Sequence, residues 1–378
     1  FSVASKIRTN NYEEITDIIH VGTGGSNLGP KLIYDCFKHS TSGPKCHFIS
    51  NLDPSPLSNL LKILNPSKTL IFITSKSFTT LETITNLRRI RSWIKKTGSV
   101  SNNLNNIFAV TSSYDLAISN QFKPENIILF NENIGGRFSI WSAANIISAI
   151  VFGPDFFINF LLGGHSIDEQ VYKHFEKSIP FSLSEISIFS RLNSNIFSHC
   201  IVPYSENLKL LPSYLQQLVM ESNGKSVNYH GNFTQSPSTN IFGYPGTDAQ
   251  HSFFQSLHQS TLKTSIDLIS FKSLQDDHHY IDKNLDDYAF KLLNLNCYAQ
   301  YEVFKNGDKN YQPKHAHESI PGKKTVNYFI FDQLNAHTLG QIICIYEYKT
   351  IIEAALSGTN PFDQFGVELS KKIVNKLI

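Results

Sequence analysis

The sequence has 378 residues, which is enough for two ordinary domains of roughly 150 residues each and for a buried core. Hydrophobic residues make up 41% of it and charged residues 17%, and the aromatic content of 12% is too high for a disordered chain. Lys and Arg number 33 against 31 Asp and Glu, which leaves a net charge of +2. No overall basic field therefore attracts nucleic acid or a membrane surface, and an anionic ligand has to be bound by local geometry.

The cysteines and the apolar stretches favour a cytoplasmic protein. The five cysteines are odd in number and form no Cys-x-x-Cys pair, which predicts reduced thiols rather than a disulfide framework. The most apolar stretch, 151–162, is interrupted by Gly153, Pro154 and Asp155 and is too short to span a bilayer. We also expect no signal peptide at the start of the chain. The single methionine is Met220, so we expect the N-terminus to have been processed, trimmed or left out.

Apolar runs of strand length recur in the first half and alternate with stretches long enough for helices. The predicted strands are 18–22, 47–51, 70–74, 107–111 and 127–130, and the predicted helices include 31–38 and 83–95. Such alternation predicts right-handed crossovers and a parallel sheet covered by helices on both faces, a three-layer α/β/α arrangement. In open sheets of this type, ligands bind at the carboxyl ends of the strands.

The second half repeats this pattern less clearly, which suggests a duplicated architecture. Its predicted helices are 166–176 and 208–222, its predicted strands are 200–203, 265–271 and 328–331, and its predicted surface loops are 276–287 and 306–324. Two long helices, near 336–357 and 364–377, close the chain. We place the domain boundary at Gly163-Gly164, which gives domains 1–163 and 164–358 and a terminal helical segment, 359–378.

The turn after the first predicted strand, Gly22-Thr-Gly-Gly-Ser-Asn-Leu-Gly-Pro30, has the composition of a phosphate-binding turn. Its glycines let backbone N–H groups close on an anion at a helix N-terminus, and Ser26 can donate a hydrogen bond. A dinucleotide-binding fingerprint would need glycine where Asn27 stands. Because Asp53 lies at a plausible distance for a ribose contact, a nicotinamide-dependent enzyme stays open as an alternative.

A second turn of this kind, Ser75-Lys-Ser-Phe-Thr-Thr80, follows the third predicted strand. Four hydroxyls and one ammonium at a strand-to-helix turn provide many donors for a compact dianion such as a monophosphate. The alternative is an ordinary helix N-cap at Thr79 or Thr80, with Glu82 in the first turn of the helix. Two such turns on neighbouring strands favour phosphate binding.

Two cations lie in segments that contain candidate functional residues. Arg137 lies between small residues in Gly135-Gly-Arg-Phe-Ser139, where a fixed guanidinium can approach a ligand closely, although a lone arginine after a turn is often a surface residue. Gln364 and Lys371 are seven residues apart, which predicts that they share one face of the last helix. The alternative for Lys371 is an exposed terminal lysine.

A candidate general base lies near the end of a predicted helix that has Pro212 near its start and Gly224 at its end. Gln217 and Glu221 are four residues apart and share one face of this helix. Glu221 falls in the last turn, beside the negative end of the helix dipole, which suits a carboxylate that takes up a proton. The alternative is a solvated glutamate at a helix end.

The histidines form no convincing metal-binding cluster in the sequence. His251 and His258 are seven residues apart in a predicted helical run, and either could be a structural imidazole. His278-His279 and His315-x-His317 lie in predicted loops without an associated ligand set, so we expect no metal site.

Six segments resemble the phosphoglucose isomerase family in order and spacing. They are GTGGSNLGP, SKSFTTLET, GGRFSIWSAAN, YLQQLVMESNGK, PGTDAQHSF and FDQFGVELSKK, and they extend from Gly22 to Lys371. The resemblance implies two sugar-isomerase (SIS) α/β domains, a homodimer and no cofactor. It also implies the reversible isomerisation of glucose 6-phosphate and fructose 6-phosphate through a cis-enediolate, in glycolysis and gluconeogenesis.

The resemblance further implies a role for each residue at a matching position. Glu221 would move a proton between C2 and C1 of the opened sugar, and His251, entering from the partner subunit, would assist ring opening. Lys371 would lie by the ring oxygen, Arg137 would stabilise the enediolate, and Glu82 would orient His251. The implied phosphate and substrate contacts are Gly25, Ser26, Ser75, Lys76, Ser77, Thr80, Gly136, Gln217 and Gln364.

The chain departs from the family pattern at a few positions. Tyr244, Asp248 and Ala249 interrupt the usual Gly-Glu-Pro-Gly-Thr-Asn-Gly-Gln-His segment, and Tyr348 stands where histidine is common. These departures affect the packing around His251 and leave the site residues themselves intact. The main alternative function is a non-catalytic module that binds sugar phosphates, which would need the two phosphate turns but not the base.

Overall fold

A computed structural model describes residues 2–9, 14–97, 106–234, 238–275, 281–309 and 312–377. The chain divides into two compact units, Phe1–Leu161 and Leu162–Ile378. In sequence this division falls inside a helix, Pro154–Lys173, so Gly163 and Gly164 of the predicted boundary are helical residues. A Cβ atom on Gly163 would lie 1.9 Å from the carbonyl oxygen of His337, so glycine is needed for this close backbone approach.

The first unit contains a parallel sheet with the strand order β2-β1-β3-β4-β5. Its strands are β1 (Asp17–Val21), β2 (Lys45–Ile49), β3 (Thr69–Thr74), β4 (Ile107–Thr111) and β5 (Ile127–Leu129). Its helices are α1 (Ser2–Thr9), α2 (Gly25–Phe37), α3 (Pro54–Ile63), α4 (Leu81–Lys96), α5 (Tyr114–Ser119), α6 (Ile146–Val151) and the first part of α7 (Pro154–Lys173). Every strand predicted for this half is confirmed to within two residues at each end.

The second unit contains another parallel sheet, with the strand order β7-β6-β8-β9. Its strands are β6 (Ser198–Pro203), β7 (Asn240–Gly243), β8 (Ser265–Ser273) and β9 (Val326–Gln333). Its helices are the rest of α7, α8 (Ile179–Ser194), α9 (Leu211–Asn223), α10 (Gly246–Gln250), α11 (Phe254–Gln259), α12 (Lys283–Asn306), α13 (Ala336–Leu356) and α14 (Glu368–Leu377). The order of its four strands in the sheet is that of the first four strands of the first unit, as a duplicated architecture requires.

The central strands show the burial expected of a sheet covered on both faces. All six residues of β3 are buried, and β4 packs beside it with Phe72 and Phe108 stacked at 5.2 Å between ring centroids. The core of the second unit is built around Cys200, Leu268 and Phe304, which are fully buried. Continuous burial along a strand is typical of parallel sheets in α/β proteins, so the predicted fold class is confirmed.

One predicted surface loop, 276–287, is partly wrong. Asp282 accepts hydrogen bonds from the N–H groups of Asn284 and Leu285 at 3.0 and 3.2 Å, and this N-cap starts helix α12 at Lys283. Residues 276–280 lie outside the described part of the chain. The five cysteine thiols are free and buried, and no helix of the described residues is long and apolar enough to cross a bilayer.

Candidate active site

The first predicted phosphate turn connects β1 to α2. Gly24 has φ 54°, a left-handed conformation that favours glycine, and α2 begins at the next residue. A Cβ atom on Gly25 would lie 2.0 Å from the carbonyl oxygen of Gly136 and 2.5 Å from the amide nitrogen of Arg137. Only glycine at this position therefore allows the turn to contact the Gly136–Arg137 backbone, and the structure brings two of the predicted segments together.

A buried histidine that the sequence analysis did not single out supports this turn. His20, in β1, is fully buried, and its Nε2 lies 2.6 Å from the carbonyl oxygen of Ser26. Because a carbonyl oxygen only accepts hydrogen bonds, Nε2 must carry the hydrogen. Burial lowers the pKa of His20 to about 4, so the ring is neutral at neutral pH. A polar residue within an apolar strand, directly before a glycine-rich turn, was the available signal.

His20 predicts a loss of stability in mild acid. Its pKa is about 4 in the fold and 6.5 in the unfolded chain, so the unfolded state binds more protons between these values and stability falls as the pH falls. Protonation of this group alone lowers the free energy of unfolding by about 2 kcal/mol between pH 7 and pH 5. Urea unfolding of wild type and His20→Gln at pH 7 and pH 5 measures this loss of stability. The loss should be smaller in His20→Gln, since glutamine keeps an N–H donor but does not titrate. An equal loss of stability in the two proteins would contradict the prediction.

The second predicted phosphate turn connects β3 to α4 and has an unusual backbone. Phe78 has φ 48°, which is uncommon for a residue with a side chain, and its N–H group donates to the Ser75 hydroxyl at 3.1 Å. The hydroxyls of Ser77 and Thr79 lie 2.6 Å apart on the surface of the turn. The turn is held on its other side by Lys76, whose carbonyl oxygen accepts hydrogen bonds from the hydroxyls of residues 111 and 112 at 3.0 and 2.9 Å.

An ordinary N-cap does not account for the hydroxyls of this turn. Thr80 occupies the N-cap position of α4, but its side chain makes no capping hydrogen bond. Thr79 pairs with Ser77 instead. Ser77 and Thr79 are exposed, and Thr80 and the nearby Glu82 are partly exposed. This turn therefore presents hydroxyl groups at the carboxyl end of a central strand, where an anion can reach them.

Arg137 is not a surface arginine. It lies in a 3-10 helix, Gly136–Trp141, and only 4% of it is exposed. Its guanidinium carbon lies 5.5 Å from the centre of the Phe138 ring, and the Ser139 hydroxyl donates to the Gly136 carbonyl at 2.7 Å. A buried guanidinium next to the Gly25 contact is suited to binding an anion.

The candidate base lies near the end of α9, as predicted. Gln217 donates a hydrogen bond from Nε2 to Glu221 Oε2 at 2.9 Å, and both side chains are partly buried. The amide fixes the orientation of the carboxylate and leaves its second oxygen to other contacts. Glu221 is thus an oriented carboxylate rather than a fully solvated helix-end residue.

The two candidate histidines do not share a helix, contrary to the sequence-based expectation. His251 lies in the turn between α10 and α11 and is exposed. His258, in α11, lies 2.8 Å from Gln300 Oε1 and stacks on Phe304 at 4.3 Å between ring centroids. These contacts make His258 the structural imidazole of the two, and burial lowers its pKa.

The residues that depart from the family pattern have ordinary structural surroundings. Ala249 is fully buried in the core of the second unit, whereas Tyr244 is half-exposed. The Asp248 carbonyl accepts the His251 N–H group at 3.1 Å. Tyr348 donates to Asp168 at 2.9 Å and so joins α13 to α7. These contacts stabilise the second unit around the proposed site residues.

Gln364 and Lys371 do not lie on one helix face, so that prediction is wrong. Gln364 has φ −154° and ψ 51° and precedes a 3-10 turn, Phe365–Val367, while α14 begins only at Glu368. Lys371 is 60% exposed at its side chain and pairs with Glu368 at 2.8 Å. The second unit by itself therefore leaves the Lys371 ammonium at the surface.

Among the residues that the structure describes, no three His, Cys, Asp or Glu side chains lie close enough to bind a metal ion together. The rings of His315 and His317 stack on each other at 5.4 Å. His278 and His279 lie outside the described residues.

Comparisons with known proteins agree with the predicted family. A model of the family described as phosphoglucose isomerase matches residues 3–378. Glucose-6-phosphate isomerase 1 of Cupriavidus pinatubonensis is 35% identical, and the match covers 95% of this chain and 68% of that protein. The crystal structure of a glucose-6-phosphate isomerase from Chlamydia trachomatis matches with a TM-score of 0.90 at 28% identity, over 100% of this chain and 72% of that one.

A more distant structure shares the fold alone. Tagatose-6-phosphate ketose/aldose isomerase from Escherichia coli matches with a TM-score of 0.56 at 13% identity, over 95% of this chain and 90% of that one. The turns, the Gln217–Glu221 pair and these similarities lead to one assignment. The chain belongs to the phosphoglucose isomerase family.

Proposed function

We propose that this chain catalyses the reversible isomerisation of glucose 6-phosphate and fructose 6-phosphate, by ring opening and proton transfer through a cis-enediolate. The family and the curated relatives support this reaction. Among the contacts, the 2.9 Å hydrogen bond that orients Glu221 through Gln217 carries the proposal, because aldose–ketose interconversion requires one base that serves both C2 and C1. A module that only binds sugar phosphates would not need an oriented carboxylate.

The reaction is tested by supplying fructose 6-phosphate together with glucose-6-phosphate dehydrogenase and NADP⁺ and following NADPH. An isomerase produces NADPH only when the coupling enzyme is present. A non-catalytic binding module produces none under either condition. A nicotinamide-dependent dehydrogenase would reduce NADP⁺ without the coupling enzyme.

The role of each residue is proposed from its match to the family and from its surroundings. Glu221 takes the proton from C2 and returns it to C1, while Arg137 stabilises the negative charge that develops on the enediolate oxygens. His251 and Lys371 act at the ring oxygen during ring opening, and Glu82 orients His251. The exposed side chains of His251 and Lys371 are available for such contacts.

The phosphate is assigned to the hydroxyl-rich turn after β3. A dianion accepts several hydrogen bonds at once, and donors at the N-terminus of a helix also benefit from its dipole. The proposed phosphate and substrate contacts are Gly25, Ser26, Ser75, Lys76, Ser77, Thr80, Gly136, Gln217 and Gln364.

We also propose the assembly and setting that the resemblance implies. The active form is a cytoplasmic homodimer that serves glycolysis and gluconeogenesis. Its chain is organised as domains 1–163 and 164–358, followed by a segment, 359–378, that packs on the active site. His251 of each subunit completes the site of its partner.

Donation of His251 across the interface predicts that two inactive variants restore each other. In a mixed dimer of His251→Ala and Glu221→Gln, one site has both intact residues and the other has neither. Random assembly of the two chains from denaturant should therefore recover about one quarter of wild-type activity, because half of the dimers are mixed and each has one competent site. Each variant refolded alone is the control. If His251 acts within its own subunit, the mixture will stay inactive.

A further inference from the structure

Lys225 makes an unusual set of contacts directly after the helix that carries Glu221. Its ammonium donates to the carbonyl oxygens of Glu221 and Ser222, both at 2.8 Å, and to that of Asp363 at 3.0 Å. The nitrogen also lies 3.5 Å from a carboxylate oxygen of Asp363. An ammonium group has three N–H donors, and three carbonyl oxygens lie around this one.

Helix capping accounts for only part of this arrangement. The last carbonyl groups of a helix have no partner within it, and a lysine nearby can satisfy them and interact favourably with the helix dipole. The two bonds to the last turn of α9 have this character. The bonds to Asp363 do not, because Asp363 is distant in sequence and directly precedes Gln364, a proposed substrate contact. Lys225 thus joins the turn that bears the base to the segment that bears Gln364.

The same turn of α9 is fixed on another side by buried polar contacts. Asn223 is fully buried and donates to the Thr350 carbonyl at 3.1 Å and to the Glu353 carboxylate at 3.3 Å. Glu353 in turn forms a buried ion pair with Lys349. Asn223 thereby anchors the helix end to α13. Lys225 connects the same turn to Asp363.

From this geometry we infer that Lys225 is a positioning residue for the isomerisation. It holds the main chain of Glu221 and fixes its place relative to Gln364, so that one carboxylate can reach both carbons of the substrate. This inference rests on the proposed function. A displacement of about 1 Å at a reacting group can cost about a hundredfold in rate, so the contacts of Lys225 should matter although it does not touch the substrate.

The proton transfer itself provides a readout that stability alone does not move. Glu221 takes the deuteron of C2-labelled glucose 6-phosphate, and the electron pair of the C–D bond forms the C1–C2 double bond of the enediolate as the aldehyde oxygen takes the negative charge. A proton passes from O2 to O1, O2 forms the ketone carbonyl, and the electron pair of the double bond takes the deuteron back from the acid at C1. Exchange of the acid with water competes with this return. When the turn loosens, water reaches the carboxyl group more easily, and less label arrives at C1.

Lys225→Met removes the donors and keeps most of the side-chain stem, and Lys225→Arg restores a cation with several donors. The matched control is Lys209→Met, which removes a partly exposed lysine that pairs with Glu206 at 3.4 Å shortly before α9. For each variant, kcat per folded molecule is measured together with the fraction of deuterium recovered at C1. Circular dichroism gives the folded fraction.

We expect Lys225→Met to lower kcat by about tenfold or more and to reduce the label recovered at C1 by at least about half, with partial recovery in Lys225→Arg and no change in Lys209→Met. Unchanged label transfer and a kcat within about twofold of wild type would overturn the inference. Should Lys225→Met fail to fold, Lys225→Gln is judged by the same two measurements. A wild-type protein without any turnover would instead refute the proposed function.

Discussion

Glu221→Gln is expected to lower kcat by about a thousandfold or more, because a positioned general base contributes about 10²–10⁴ to the rate. Glutamine matches the shape of glutamate and can still pair with Gln217, but it cannot take a proton from C2. The variant should therefore also stop the exchange of the C2 proton with solvent, which proton NMR in D₂O measures directly. Substrate binding should change far less than kcat, since the fold and the phosphate turns stay intact.

The matched control for this experiment is Glu206→Gln. Glu206 lies just before α9 in the same unit, its side chain is 64% exposed, and its contact with Lys209 at 3.4 Å is a surface ion pair of small energetic value. Its replacement should leave both turnover and exchange unchanged. Continued exchange at C2 in Glu221→Gln would exclude Glu221 as the base.

Arg137→Ala is expected to lower kcat by about a hundredfold or more. A fixed donor at a developing oxyanion contributes about 3–4 kcal/mol, and the low exposure of Arg137 keeps water from taking its place. The loss should fall on kcat more than on KM, because the negative charge on the sugar oxygens develops only during the reaction. Steady-state kinetics in both directions of the reaction provide the measurement.

Two further variants separate this effect from a loss of packing. Arg137→Lys keeps the charge but lacks the planar guanidinium, so its rate should lie between those of wild type and Arg137→Ala. Arg89→Ala removes another arginine of the first unit, one that donates to Pro54 and Ser58 at 2.7 and 2.9 Å and has no proposed catalytic role. It should retain normal kcat. Near-normal turnover in folded Arg137→Ala would argue against its assignment to the enediolate.

Most of the strands could be predicted from sequence because they contain apolar runs. A strand such as β3, buried along its whole length, appears as a continuous hydrophobic run that ends at a polar turn. Strand β7 was missed because it has only four residues, begins with the exposed Asn240 and ends at Gly243. The first turn of α12 was assigned to a loop because its capping residue, Asp282, lies in a run of polar residues.

The features of the site that depend on local sequence could be predicted. Those that depend on where a helix begins or on contacts formed by folding could not. The turn compositions and the four-residue spacing of Gln217 and Glu221 are local, and both are reflected in the structure. The spacing of Gln364 and Lys371 assumed one continuous helix, whereas a 3-10 turn separates them. The contact of His20 with Ser26 and that of Lys225 with Asp363 follow no spacing rule, so only the folded chain shows these two partners.

The repeated strand order makes helices α2 and α9 equivalent in the two halves. The helix after the first strand of each sheet, α2 in one and α9 in the other, has 13 residues. Asp35 stands as far from the beginning of α2 at Gly25 as Glu221 stands from the beginning of α9 at Leu211. Both halves thus have an acid at the corresponding place on an equivalent helix.

The carboxylates of Asp35 and Glu221 have different contacts because the neighbouring lysine binds a different group in each helix. In α2, Lys38 pairs with the Asp35 side chain at 2.7 Å, which balances its charge. In α9, Lys225 binds the main-chain oxygen of Glu221, and an uncharged amide contacts the carboxylate. One half thus pairs its acid with an ammonium group, whereas in the other half the corresponding carboxylate contacts an amide, which suits the proposed role of Glu221 as the base.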